Sequence, residues 1–207
     1  MKNFINSLIL SVLAGIAIGI GGTLFLSVDN KIVGSLLFTT GLFTICVFNF
    51  SLFTGKVGYI LQNDLNYLLS LVTIWIGNLL GTNLVAYSLS LTRLNQKLNE
   101  VALTVCLPKL SDSYLSLFVL GIFCNILMFI AVDGFKNNKD VLGKYLGLFL
   151  GVSVFILCGF EHCIADMFYF GMAKAWSIDT FTRLFVITLG NILGGLIIPF
   201  GKSLLKN

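Results

Sequence analysis

The sequence predicts an all-α membrane protein with six transmembrane helices, arranged as an inverted three-plus-three repeat with two broken helices. Three observations predict it. Hydrophobic residues make up 57% of the 207 and charged residues only 11%, with a mean hydropathy of +0.98. No ordinary soluble domain has that composition. Apolar stretches of about twenty residues, the length that crosses a bilayer core, recur along the chain. Two of these stretches, one in each half, are interrupted by polar residues.

Residues 4–28 form the first span, which is too long for a signal-peptide core and is followed by no small-x-small cleavage site. Gly15, Gly19, Gly21 and Gly22 give it a small-residue side for close helix packing. Residues 32–61 contain Asn49, Ser51, Thr54, Gly55 and Lys56, too polar a set for one lipid-facing helix. A long half, a break near 49–54 and a short second half are expected. Residues 65–91 are the third span and 92–113 a polar loop with Arg93, Lys97, Glu100, Lys109 and Asp112. The fourth span, 114–132, has one polar interruption, Asn125, and residues 133–144 are a hydrophilic connection. The fifth, about 145–172, is broken, and residues 184–205 are the sixth.

An internal repeat links the halves. Ile76-Gly77-Asn78-Leu79-Leu80-Gly81 in the third span resembles Leu189-Gly190-Asn191-Ile192-Leu193-Gly194 in the sixth. The repeats, about 4–91 and 114–205, each hold three spans, an odd number. Within a single transmembrane domain over residues 1–207 they must therefore face opposite ways, with both breaks meeting at the midplane.

The chemistry concentrates in Gly159-Phe160-Glu161-His162-Cys163-Ile164-Ala165-Asp166-Met167, which holds two carboxylates and the only histidine. Ionisable groups at that depth cost several kcal/mol each unless they face a cavity or a partner. This stretch is the first candidate for a transport site. The net charge of +4 is spread over loops and ends; no basic run points to nucleic acid. No Gly-rich phosphate loop points to ATP. With both termini in the cytoplasm, that side holds Lys2, Lys56, Lys136, Lys139, Lys144, Lys202 and Lys206. The other side holds Lys31, Arg93, Lys97, Lys109, Lys174 and Arg183, a weak positive-inside bias.

Other chemistries fit less well. Cys158, His162, Cys163 and Asp166 cluster, but Cys158 lies across the break and no second histidine exists, so no metal is expected. A hydrolase would pair Ser153 with His162, yet no Gly-x-Ser-x-Gly elbow is present. No cofactor is expected. A purely structural membrane subunit is the third class, against which the paired breaks argue. Cys46, Cys124, Cys158 and Cys163 read as small buried hydrophobes, and Cys106 lies in the polar loop, open to reaction.

These residues resemble the formate/nitrite transporter family. Leu52-Phe53-Thr54-Gly55 is similar to its motif at the second-helix break. Residues 159–167 are similar to its Gly-Phe-Glu-His-Ser-Ile-Ala-Asn-Met signature, with Cys163 and Asp166 in place of serine and asparagine. Gly121-Ile122-Phe123-Cys124-Asn125 and Leu189-Gly190-Asn191-Ile192-Leu193-Gly194-Gly195 resemble its fourth- and sixth-helix motifs. The resemblance implies a channel domain with an aquaporin-like protomer in a homopentamer of the cell membrane. It implies passage of small monovalent anions or their conjugate acids: formate, nitrite, hydrosulfide or short carboxylates.

By the same resemblance His162 is the pore histidine, Thr54 the break threonine and Lys109 a vestibule lysine that concentrates anions. Phe38, Leu42 and Phe155 become apolar constrictions, and Asn125 and Asn191 polar support. The residues themselves suggest that Glu161 accepts backbone N–H groups freed at the break and that Thr54 caps a half-helix. An anion crosses an apolar constriction far more easily once protonated, so a proton partner is expected, the proton coming directly from His162 or through water.

Overall fold

The computed structural model describes residues 2–205, with side chains from residue 4 onward; Lys206 and the side chain of Lys2 in the orientation count lie outside this range. Every regular element among the described residues is helical. The elements are α1 (Lys2–Ser27), α2 (Lys31–Phe48), α3 (Phe53–Lys56) with a 3-10 turn (Val57–Gln62), α4 (Leu65–Ser90), α5 (Asn95–Ser111), α6 (Tyr114–Asn137), α7 (Val141–Leu157), α8 (Cys163–Met172) and α9 (Ile178–Leu204). Five of them, α1, α2, α4, α6 and α9, are long and apolar enough to cross a membrane. The expected fifth span falls on two shorter apolar helices, α7 and α8.

Small residues set the packing. Gly81 of α4 lies against the Val12 carbonyl and Gly15 of α1, where any Cβ would overlap backbone. Gly194 of α9 lies in the same way against the backbone of Ile122 on α6. Dispersion between closely approaching backbones, rather than water exclusion, holds helix pairs together in lipid. The outer surface carries exposed apolar side chains, among them Leu69, Val72, Leu150, Phe185 and Phe200.

Both breaks have one construction. Asn49 ends α2 with φ 54°, and Gly159 follows α7 with φ 70°. Phe50 N–H then reaches back to the Ile45 carbonyl at 3.0 Å, and Phe160 N–H to that of Phe155 at 2.9 Å. Each is a left-handed helix stop that satisfies a terminal carbonyl. Ser51 N–H donates to Leu10 O at 3.2 Å, and Glu161 N–H to Leu120 O at 3.4 Å. Aligned this way, His162 corresponds to Leu52, and both are N-caps of the half-helices that follow.

Contrary to expectation, residues 92–113 are not a loop. Most of them form α5, whose buried face is Leu98, Ala102 and Cys106. Asn99 anchors it by donating to the Met172 carbonyl at 2.8 Å, and Arg183 donates to the Lys109 and Asp112 carbonyls that the helix end leaves free. The hydrophilic connection is likewise shorter than expected, because α6 runs to Asn137 and α7 begins at Val141.

Candidate functional site

The two half-helices α3 and α8 meet through their first turns. Thr54 Oγ1 and His162 Nε2 lie 2.9 Å apart, and both residues are buried. His162 Nδ1 accepts the N–H of Ala165 at 3.1 Å, which makes the histidine its own helix cap. A backbone N–H only donates, so Nδ1 carries no proton and the neutral ring bears its hydrogen on Nε2. That hydrogen points at Thr54. Phe155 stacks on the imidazole at a centroid distance of 5.4 Å and 13° between planes, and Phe38 meets Phe155 edge-on at 6.2 Å. Phe38, Leu42 and Phe155 are all buried.

Two cavities approach this layer. One, of about 580 Å³, has Lys109, Glu161, His162, Asp166, Phe155 and Tyr169 in its wall. The other, of about 320 Å³, is lined by Ile45, Leu52, Tyr59, Lys56, Lys136 and Lys144 among others. The first includes Lys31 at the start of α2 and Cys158 at the end of α7; the second includes Ile45 near the end of α2 and Lys144 near the start of α7. Helices α2 and α7 therefore run in opposite directions, and the cavities lie at opposite ends of the fold. Equivalent positions serve both: Ile45 stands for Phe155, Phe50 for Phe160 and Leu52 for His162.

Buried amides fix the breaks. Asn191 accepts Cys163 N–H at 2.9 Å and donates to the Gly121 and Glu161 carbonyls, both at 2.8 Å. Asn125 donates to the Asn191 carbonyl at 2.7 Å, supporting α9 from α6. Asn78, recognised in the sequence only as part of a repeat, makes the equivalent set at the other break. Leu52 and Ile45 were also missed. The repeat motifs alone do not give them: the register that sets Asn78 on Asn191 pairs His162 with Asn49 and Phe155 with Leu42, so the breaks have to be aligned on their own helix stops, Asn49 with Gly159.

Lys109 corrects the sequence reading most. It is not an exposed loop cation: its side chain is 11% exposed, and its ammonium lies between the carboxylates of Glu161 and Asp166, with Asp166 Oδ1 at 3.0 Å. Glu161 consequently uses its carboxylate for Lys109 rather than for backbone N–H groups at the break. Thr54 caps nothing; the N-cap of α3 is Leu52, without a side-chain cap. Cys106 is fully buried, whereas Cys158, expected inside, is exposed beside the larger cavity. Ser153 is buried on α7, but the histidine nitrogens are engaged by Thr54 and Ala165, which leaves no serine–histidine dyad. No metal-holding group of His, Cys, Asp and Glu occurs among the described residues.

Opposed broken helices, a buried polar pair between two cavities and an apolar surface define an inverted-repeat membrane channel or transporter, not an enzyme. The chain belongs to the formate/nitrite transporter family, whose model matches residues 1–202. It is 29% identical to a probable formate transporter of Methanothermobacter thermautotrophicus, over 92% of this chain and 84% of that one. It is 26% identical to the formate channel FocB of Escherichia coli, over 95% and 85% respectively. A solved pentameric formate channel with formate bound superposes with a TM-score of 0.84 at 27% identity, covering 99% of this chain and 98% of that chain.

Proposed function

We propose that this chain conducts small monovalent anions or their conjugate acids across the cell membrane, with formate first among candidates and nitrite, hydrosulfide and short carboxylates in the same class. The observation that carries the reading is the Thr54–His162 pair, held between two cavities and flanked by Phe38 and Phe155. The formate channels among its relatives and structural neighbours support the substrate class. The pentameric neighbour supports assembly as a homopentamer, one path through each protomer, in a single channel domain of two repeats. Both termini lie in the cytoplasm on this reading, so the mouth with Lys56, Lys136 and Lys144 faces inward.

An unpaired charge in an apolar layer costs many kcal/mol, so the solute crosses beside Phe38, Leu42 and Phe155 as a neutral acid. The proton joins the anion on the Lys109 side, next to the histidine. His162 itself is a poor source. Adding a proton at Nδ1 would break the Ala165 bond, and losing the one at Nε2 would create an imidazolate. Its role is that of a fixed neutral donor, shared between Thr54 and the passing solute.

The deciding experiment is purified protein in liposomes with a panel of formate, nitrite, hydrosulfide and lactate, following swelling together with internal pH. Saturable uptake of one or more with internal acidification is expected. Protein that leaves the liposomes impermeable to all four would overturn the reading.

A further inference from the structure

We infer that Asp166, rather than His162, holds the exchangeable proton that neutralises the anion in the larger cavity. This rests on the reading above and names the group that performs its proton step. One ammonium faces two carboxylates: Lys109 reaches Glu161 and also lies 3.0 Å from Asp166 Oδ1. Ionised together, the three groups leave one surplus negative charge in a wall that also includes Ala165, Tyr169, Phe155 and Pro108. A single Lys–Glu pair is already neutral. The second oxygen of Asp166 decides where the surplus goes.

Asp166 is 1% exposed, and its Oδ2 has no hydrogen-bond partner. An ionised carboxylate oxygen stripped of both water and donors is far more costly than a protonated one. The groups around it offer no second cation. Lys109 and Cys106 approach from α5, Cys124 from α6, Cys163 and Tyr169 lie on its own helix, and Glu161 and His162 precede it. Lys31 and Asp29, farther along the cavity wall, are of opposite sign.

The step balances simply. Asp166 gives the proton on Oδ2 to a carboxylate or other conjugate base in the cavity, the O–H bond of the aspartic acid breaking as that of the neutral solute forms. The Asp166 carboxylate left behind is held by Lys109 at Oδ1 until water in the cavity returns a proton. Rotation about χ2, a soft torsion for aspartate, brings Oδ2 to the cavity that Asp166 lines. The neutral solute then moves past His162.

The test uses full-length protein in proteoliposomes, read by infrared spectroscopy and by formate uptake. A protonated-carboxyl C=O band that shifts in D2O is expected in the wild type at neutral pH. It should vanish in Asp166→Asn and persist in Glu161→Gln. Formate uptake by Asp166→Asn should fall on the order of 100-fold at about pH 8, the low end of what a positioned acid contributes, and converge on wild type at about pH 5, where solvent protons suffice. A band lost in Glu161→Gln but kept in Asp166→Asn overturns the assignment, as does an unchanged pH profile. If the wild type shows the band but takes up no formate or other panel anion, the transport reading falls, and the shuttle with it.

Discussion

Asn78 and Asn191 hold the two helix breaks with the same three hydrogen bonds. Asn78 Oδ1 accepts Phe53 N–H at 2.9 Å, and its amide donates to the Ser11 and Ser51 carbonyls at 2.7 and 2.9 Å. Asn191 does the same for Cys163, Gly121 and Glu161. Each amide thus ties one unwound segment to a half-helix start and to a neighbouring span. Unwound backbone cannot face hydrocarbon, and these side chains supply what water would. Across the centre, Trp75 Nε1 donates to Thr188 Oγ1 at 3.3 Å, joining equivalent positions of the two repeats.

Replacing Asn191 by leucine keeps the volume and strands one N–H and two carbonyls. Each buried group left unpaired costs about 1–3 kcal/mol. The variant should lose its folded, assembled form on thermal scanning in detergent well below the wild type. Asn78→Leu should behave alike. A change in one alone would break the equivalence.

Gly194→Leu is expected to be worse than either. Its side chain would enter the Ile122 backbone, and neither α6 nor α9 has room to yield. Gly201, which has open space around it, is the control: Gly201→Ala should leave yield and melting unchanged. Expression and size-exclusion profiles of the two variants check this directly.

The spans were legible because hydropathy and length report them, and the breaks because Asn49–Thr54 and Glu161–Asp166 are polar at depth. What could not be read was the third dimension of α5. Its composition is that of a loop, and only the spacing of Leu98, Ala102 and Cys106 carries the buried face. Lys109 continues that stripe, which is why it ends against Glu161 and Asp166 rather than in solvent. Exposure of a lysine near a polar stretch cannot be judged without knowing which helix covers which.

That position changes the expectation for Lys109. Lys109→Met would leave the Glu161 carboxylate buried with no cation, a loss on the order of 3–5 kcal/mol for a broken buried pair. The double variant Lys109→Met with Glu161→Gln removes the charge left unpaired and should recover part of the stability. Recovery in a thermal double-mutant cycle is the measurement. Additive losses would show that the two side chains do not share a site.

We propose that electrostatic attraction of anions falls instead to the opposite mouth. Lys56, Lys136 and Lys144 line the smaller cavity, and Lys136 stands over the Tyr59 ring at 4.9 Å. Among the described ion pairs none involves these three; Asp133 nearby is bonded by Tyr59 and lies 3.9 Å from Lys202. Lys136→Gln with Lys144→Gln should slow anion entry from that side at low ionic strength. The difference should shrink near physiological salt, where fields are screened over about 8 Å. Right-side-out and inside-out proteoliposomes separate the two mouths.

The sharpest test of the central pair is a comparison of His162 and Thr54 variants at constant assembly. Thr54→Val removes the acceptor for the Nε2 hydrogen and leaves the ring capping Ala165, so the fold should hold while the donor faces only the solute. His162→Asn keeps an amide donor but cannot titrate; His162→Phe keeps the stacking on Phe155 and removes both donor and cap. If the histidine serves as a fixed neutral donor, His162→Asn should retain proton-accompanied formate uptake at a reduced rate, and His162→Phe should lose uptake. Internal acidification per formate taken up is the number to measure, since it is independent of how much protein inserts. A ratio unchanged between wild type and His162→Asn agrees with a proton supplied elsewhere in the cavity. A ratio that collapses in His162→Asn would return the proton step to the imidazole, and the Ala165 bond would then have to open in every transport cycle.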